Sequence, residues 1–190
     1  MEPKKLIDIF AVAERLKNNT RHCYTSSGRH ESVAEHSWST ALMAMLVADE
    51  FPGADMNKVI RMCIIHDLGE AFTGDIPTFE KKDSDEKVEE LLLNQWVDTL
   101  PEPQRTEFQS LLAEMKERQS LESRIYKALD NLEAVIQHNL SDISTWLPLE
   151  YDLQLTYGTE NVKFSPYMQR LKEEINNCTR RKIREESSKK

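Results

Sequence analysis

"IIHDLGEAFTGDIP", residues 64–77, sets His66 and Asp67 side by side at the end of an apolar run. It adds Glu70 about one turn later and then breaks at Gly74-Asp75-Ile76-Pro77. A helix that is merely buried needs none of these polar groups, and each costs free energy in an apolar setting unless it is paired or bound to a metal. The flanking sequence repeats the contrast. Upstream, "SVAEHSWSTALMAMLVADEF" (32–51) opens with Ser32 and Glu35 in capping-box spacing and is apolar on nearly every side from Ala41 to Ala48. That pattern predicts a central, buried helix, yet His36 stands in its first turn. Downstream, Leu121, Ile125, Leu129, Leu132, Val135, Ile136 and Leu140 form a stripe over 121–143, with Asp130 in its middle.

The remaining periodicity is helical as well. Residues 3–18 place Leu6, Ile9, Phe10, Ala13 and Leu16 on one stripe, and Asp55 caps a helix running through Val59, Met62 and Leu68. Two more helices are predicted over 84–100, with Val88, Leu91, Leu92, Trp96 and Leu100 on one face, and from "PEPQ" to about residue 118. Residues 20–31 carry no period and read as a loop bearing Arg21, His22 and Arg29; no strand is expected. The segment 144–164 is irregular but aromatic, and it reads as an ordered loop or short helices. Ser165-Pro166 starts a last helix that ends in a basic tail, 165–190. Trp38 and Trp96 are expected in the core. The expected fold is all-α, a single domain over 1–190 built from six to eight helices, with its site in residues 5–140.

Thirty-three acidic against twenty-five basic residues give a net charge of −8, which argues against nucleic-acid or anionic-membrane partners. Cys23, Cys63 and Cys178 are odd in number and form no C-x-x-C pair, as expected of free thiols in a reducing compartment. The start, "MEPKKLIDIF", lacks the apolar stretch of a signal peptide, and no run reaches membrane-spanning length. A cytoplasmic protein is expected.

Two imidazoles and two carboxylates on otherwise apolar helices form a borderline N/O donor set, suited to Zn, Mn, Fe, Co or Ni rather than Ca. Taken singly, each has a plainer reading as a hydrogen-bonded core residue or a solvated carboxylate. Their order, His36, then His66-Asp67, then Asp130, resembles that of the HD-domain metal-dependent phosphohydrolases. "ESVAEHSWSTALMAML", "IIHDLGEAFTGDIPT" and Lys81 narrow the resemblance to the YfbR-type 5′-deoxynucleotidase group and its relatives.

The resemblance implies that His36, His66, Asp67 and Asp130 ligate one divalent metal. It implies Glu70 as the acid/base carboxylate, Asp75 as its companion near water or sugar, Arg21 as the phosphate-binding arginine and Lys81 as a second cation. It also implies a homodimer, which the apolar content of 144–164 (Trp146, Leu147, Tyr151, Tyr157) supports. One position departs from the group, where a tryptophan follows the arginine and helps reject a 2′-hydroxyl. Here it is His22, so hydrolysis of a phosphomonoester is expected with a weakened preference for deoxyribose.

The chemistry is coherent in its own right. Phosphomonoester hydrolysis requires charge stabilisation at phosphoryl oxygens, a positioned water and a proton for the departing alkoxide, and a metal with open positions meets the first two. A guanidinium fork such as that of Arg21 suits phosphate. No histidine lies between 67 and 138, the interval in which two-metal HD phosphodiesterases carry extra ones, so the resemblance implies one metal, although Glu70 and Asp75 could recruit a second, harder cation such as Mg²⁺. Two alternatives stay open: another HD reaction (phosphodiester or nucleoside triphosphate hydrolysis), and a non-catalytic nucleotide-binding module.

Overall fold

A computed structural model describes residues 1–188. Nine α-helices are found among them: α1 (Pro3–Ala13), α2 (Val33–Leu46), α3 (Met56–Ile65), α4 (Glu70–Thr73), α5 (Asp83–Asp98), α6 (Gln104–Glu117), α7 (Leu121–Leu140), α8 (Glu150–Thr156) and α9 (Pro166–Ser187). Seven exceed nine residues; α4 and α8 are short. The all-α expectation holds. The helix starts follow their caps: Ser32 and Glu35 close a full capping box on α2, and Asp55, Ser120 and Ser165 each accept a backbone N–H at the head of α3, α7 and α9.

Helix α7 is the central element. Ile125, Ala128, Leu129, Leu132 and Val135 are fully buried, and it packs against α2, α3, α6 and α9. Because α2, α3 and α7 meet in the core, the polar residues on their facing turns are brought together inside it.

Three expectations fail. Residues 20–31 are not a loop but a hairpin: β1 (Thr20–Tyr24) pairs antiparallel with β2 (His30–Ser32), Thr20 opposite Ser32 and Tyr24 opposite His30. Three residues on one strand face one on the other, a bulged register that breaks the period-two signal a strand leaves in sequence. Trp38 is not core; it is 65% exposed, as is Phe10 of the α1 stripe. The 144–164 segment does not form an exposed patch, because Trp146 is buried, donates its indole N–H to His138 O and packs edge-on against Tyr151. On α5 the buried positions are Leu93 and Val97, while Val88 and Leu91 face solvent.

Candidate metal centre and adjoining pocket

Helix α3 ends at Ile65, and a run of turns carries His66 to Gly69 before α4 begins. His66 and Asp67 therefore sit on a helix end rather than on a continuous face. Helix α4 lasts one turn because Gly74 takes φ +77°, a left-handed conformation that favours glycine. Asn19 holds that turn by donating to the Glu70 carbonyl. Gly69 has no room for a side chain: a Cβ there would lie 2.6 Å from Glu89 Cγ of α5.

Around one point the structure gathers His36 from α2, His66 and Asp67 from the end of α3, and Asp130 from α7. The two Nε2 atoms are 3.2 Å apart. Asp130 Oδ1 lies 3.0 Å from His36 Nε2 and 3.5 Å from His66 Nε2, and Asp67 Oδ2 lies 3.0 Å from His66 Nε2 and 3.7 Å from His36 Nε2. The far side of each ring fixes its tautomer. His66 Nδ1 is 2.8 Å from the Cys63 carbonyl and His36 Nδ1 is 2.5 Å from Glu133 Oε2, so each Nδ1 carries a proton and each Nε2 turns inward, bare when the ring is neutral. Burial opposes a second proton, but the facing carboxylates outweigh it and raise both histidines in the metal-free protein. Donors about 2 Å from a transition metal are themselves about 3 Å apart. The donor atoms of His36, His66 and Asp67 all lie within 4.8 Å of one another and could share one ion, and Asp130 Oδ1 lies beside both imidazoles. Lys127 Nζ, 2.6 Å from Asp130 Oδ2, occupies the other oxygen of that carboxylate and leaves Oδ1 turned to the centre.

Glu70 is buried, and its Oε2 has no hydrogen-bond partner. Burial, with the charges of Asp67 and Asp75, pushes its carboxyl up to about 10, so it carries a proton at neutral pH. Burial also raises Asp75.

Arg21 lies on the bulged strand, and its Nη1 is 3.1 Å from Glu31 Oε2 and 3.5 Å from Glu133 Oε2. Its Nε and Nη2 make no hydrogen bond among the described residues. The bulge lets Arg21, His22 and Cys23 all line one pocket, where regular strand residues would alternate between faces. Asp75, Phe79, Leu153, Tyr157, His138 and Glu150 line the same pocket, with Arg21 near enough for its charge to favour ionised Asp75.

His22 lies edge-on to Phe79, with its Nε2 buried, unpartnered and 3.4 Å from Glu150 Oε1. His138 reaches the same oxygen at 2.9 Å, while its Nδ1 lies 2.9 Å from the Ala134 carbonyl. Burial opposes ionisation of Glu150, yet His138 and the Leu147 N–H hold its carboxylate below the ordinary range.

Lys81 lines a second cleft, which His66 and Asp67 also line, so it stands on the metal side of the site and not in the Arg21 pocket; it is paired with Glu89 Oε2 at 2.7 Å. Sequence reading missed Glu31, Glu133, Lys127 and Glu150. In a chain with 33 acidic residues a buried carboxylate leaves no mark of its own. Only the spacing of Lys127, Asp130 and Glu133 at three-residue steps on an apolar helix offered a signal.

The HD-domain family model matches residues 13–172. The chain belongs to the HD-domain family. Among curated relatives, the 5′-deoxynucleotidase HDDC2 of Homo sapiens is 30% identical over 138 residues, 70% of this chain and 67% of that protein. The 5′-deoxynucleotidase of Erwinia tasmaniensis is 30% identical over 139 residues, 67% of this chain and 70% of that one. A crystal structure of a "predicted metal-dependent phosphohydrolase" from Magnetospirillum magnetotacticum superposes with TM-score 0.78 at 26% identity, covering 95% of this chain and 91% of that one. The match to this HD domain continues past residue 140 and into α9. No helix among the described residues is long and apolar enough to cross a membrane.

Proposed function

We propose that this HD domain, taken as a single unit over 1–190, is a metal-dependent phosphomonoesterase that converts nucleoside 5′-monophosphates to nucleoside and phosphate. The observation that carries this reading is a cluster of two imidazoles and two carboxylates joined through Glu133 to Arg21, which lines the adjoining pocket together with Asp75. His36, His66, Asp67 and Asp130 would hold one divalent transition metal (Co, Mn, Zn, Fe or Ni), which supplies Lewis acidity and a water of lowered pKa. Arg21 offers its Nε–Nη2 edge to two phosphoryl oxygens, a fork that matches the anion. Glu70, protonated, gives its proton to the departing 5′ oxygen. Asp75 orients the sugar side of the substrate, and His22 and the apolar walls enclose the nucleoside.

The distribution of cations supports a monophosphate over a triphosphate. Arg29 is paired with Glu35 at 2.5 Å and Lys81 with Glu89 at 2.7 Å; Arg21 is paired too, but through Nη1, so its Nε–Nη2 edge is the one left to the pocket. One metal suffices in this reading, and a second Mg²⁺ is not required. The other candidate donor group among the described residues, Glu31, His36 and Glu133, has the Arg21 guanidinium beside both carboxylates. Three unpaired cysteines fit a cytoplasmic setting. A phosphate-release screen of metal-reconstituted protein against ribo- and deoxyribonucleoside mono- and triphosphates tests the function. Release from the monophosphates is expected; release from triphosphates alone overturns the reading.

We also propose a homodimer, through a different face from the one the sequence suggested. Ile7, Phe10, Trp38, Met45, Leu46 and Ile64 are exposed on α1, α2 and α3, and Phe10, Trp38, Met45 and Ile64 line one apolar groove, the kind of contiguous surface that marks an interaction site. Light scattering at micromolar concentration should give twice the 22.1 kDa chain mass, and Trp38→Glu should halve it. A 22.1 kDa particle from the unaltered chain removes the proposal.

A further inference from the structure

One oxygen serves both halves of the site. Glu133 Oε2 accepts the Nδ1 proton of His36 at 2.5 Å and lies 3.5 Å from Arg21 Nη1. Glu31 Oε2 contacts the same Nη1 at 3.1 Å and accepts from the Cys23 thiol at 3.2 Å, and it is in hydrogen-bond contact with neither ring nitrogen of His36. All three charged side chains lie inside the fold, with Glu31 and Glu133 buried and the Arg21 side chain 16% exposed. Water therefore screens these contacts little.

We infer that Glu133 is a positioning residue that couples metal binding to phosphate binding, by fixing the tautomer of His36 and the orientation of Arg21 through one carboxylate oxygen. The inference rests on Arg21 as the phosphate ligand. A carboxylate behind a metal-bound imidazole sets which nitrogen is bare and aligns the ring; loss of such a partner commonly weakens metal binding about 10–100-fold. The same carboxylate draws Nη1 inward, which turns the opposite Nε–Nη2 edge of the guanidinium outward. Phosphate then meets a fork already oriented rather than one that must be ordered on binding. Glu31 provides the internal comparison, because it holds the guanidinium without touching the histidine.

The test needs no turnover. Affinity for Co²⁺ is measured by competition with a chromophoric chelator, and affinity of the Co²⁺-loaded protein for inorganic phosphate by calorimetry. Glu133→Ala should weaken Co²⁺ binding about 10–100-fold and phosphate binding about 10-fold. Glu31→Gln should weaken phosphate about 10-fold with Co²⁺ affinity unchanged. Glu133→Gln keeps the volume and an acceptor for His36, so it should hold Co²⁺ nearly as the parent does while still losing phosphate affinity.

Should Glu133→Ala not fold, Glu133→Leu takes its place, since it also removes the acceptor for His36 and fills the buried volume. Co²⁺ affinity left unchanged by loss of that acceptor, or lowered as far by Glu31→Gln, would overturn the inference, as would unchanged phosphate affinity in Glu133→Gln. Arg21→Ala separates the two claims: phosphate affinity untouched by that change defeats the role of Arg21, and the coupling with it. A protein that shows the coupling yet releases phosphate from no monophosphate defeats only the proposed reaction.

Discussion

At the metal end of the site the donors are held by long helices, whereas at the pocket end the groups come from a bulged hairpin, a loop and a seven-residue helix. His36 and Asp130 are carried on α2 and α7, whose apolar faces are locked in the core, and His66 and Asp67 close α3. Three of the four donors are also held from behind, His36 by Glu133, Asp130 by Lys127 and His66 by the Cys63 carbonyl. Positions on packed helices are accurate to the fraction of an ångström that metal chemistry needs. The pocket end has looser terms: His22 Nε2 stands 3.4 Å from its nearest oxygen, and Phe79 is over a third exposed. On the proposed function, the difference separates the parts of the site that would perform the reaction from the parts that would choose the substrate. Substitutions at the first should abolish function, and substitutions at the second should redirect it.

The largest expected effect tests the rigid end. Asp130→Ala removes one of the four inward acceptors and strands Lys127, so stoichiometric metal should be lost and activity with it. Metal content by elemental analysis checks this, and occupancy of the unaltered protein should fall in acid as the donors take up protons. Full metal content in the variant would show that three donors suffice and that Asp130 is structural.

Glu70 lies between the two ends. Glu70→Gln should leave metal content and KM near the parent values and lower kcat about 10²–10⁴-fold, the range for loss of a general acid. The same variant has a stability signature in the metal-free protein. An acid at about 10 when folded and 4.5 when unfolded keeps a proton that the unfolded chain gives up. Stability then falls as pH rises through that window, because the folded state binds more protons than the unfolded one. Glutamine has no such loss, so the Tm of Glu70→Gln should exceed that of the parent by a margin that widens from pH 5 to pH 9. Parallel Tm curves would mean that Glu70 is ionised in the fold.

The rigid end was readable in the sequence for a physical reason. His36, His66, Asp67 and Asp130 interrupt helices that are otherwise apolar, and a buried polar group needs an explanation. Glu133 and Lys127 stand on the same helix as Asp130, but in a charged-rich chain a Glu or Lys at helical spacing reads as solvent-facing until the packing is seen. The hairpin was missed because its bulge erases alternation. Trp38 and Phe10 were misplaced because periodicity identifies an apolar stripe without saying what covers it. The 144–164 segment forms short helices as expected, but the burial of its aromatics was not readable, because their partners, such as the His138 carbonyl that takes the Trp146 N–H, lie on another element. Long-range pairs of this kind have no local signature.

The smallest expected effect belongs to the adaptable end. A site that excludes a hydroxyl by shape alone gains only about 10²-fold discrimination, so the unaltered protein, with imidazole beside the nucleoside, should prefer dAMP to AMP and dUMP to UMP by less than about 10² in kcat/KM. His22→Trp fills the space next to Phe79 with a larger ring. The indole N–H can donate to Glu150 Oε1, the oxygen that His22 faces at 3.4 Å, so the new side chain has a partner in the position its predecessor left unsatisfied. The deoxyribose preference should then rise about 10-fold, with metal content unchanged and kcat for the deoxyribonucleotide within a few-fold of the parent. Paired kcat/KM ratios decide it. A parent preference above a thousandfold, or a ratio that His22→Trp does not move, would show that the sugar is judged elsewhere, and Asp75 would become the residue to change next.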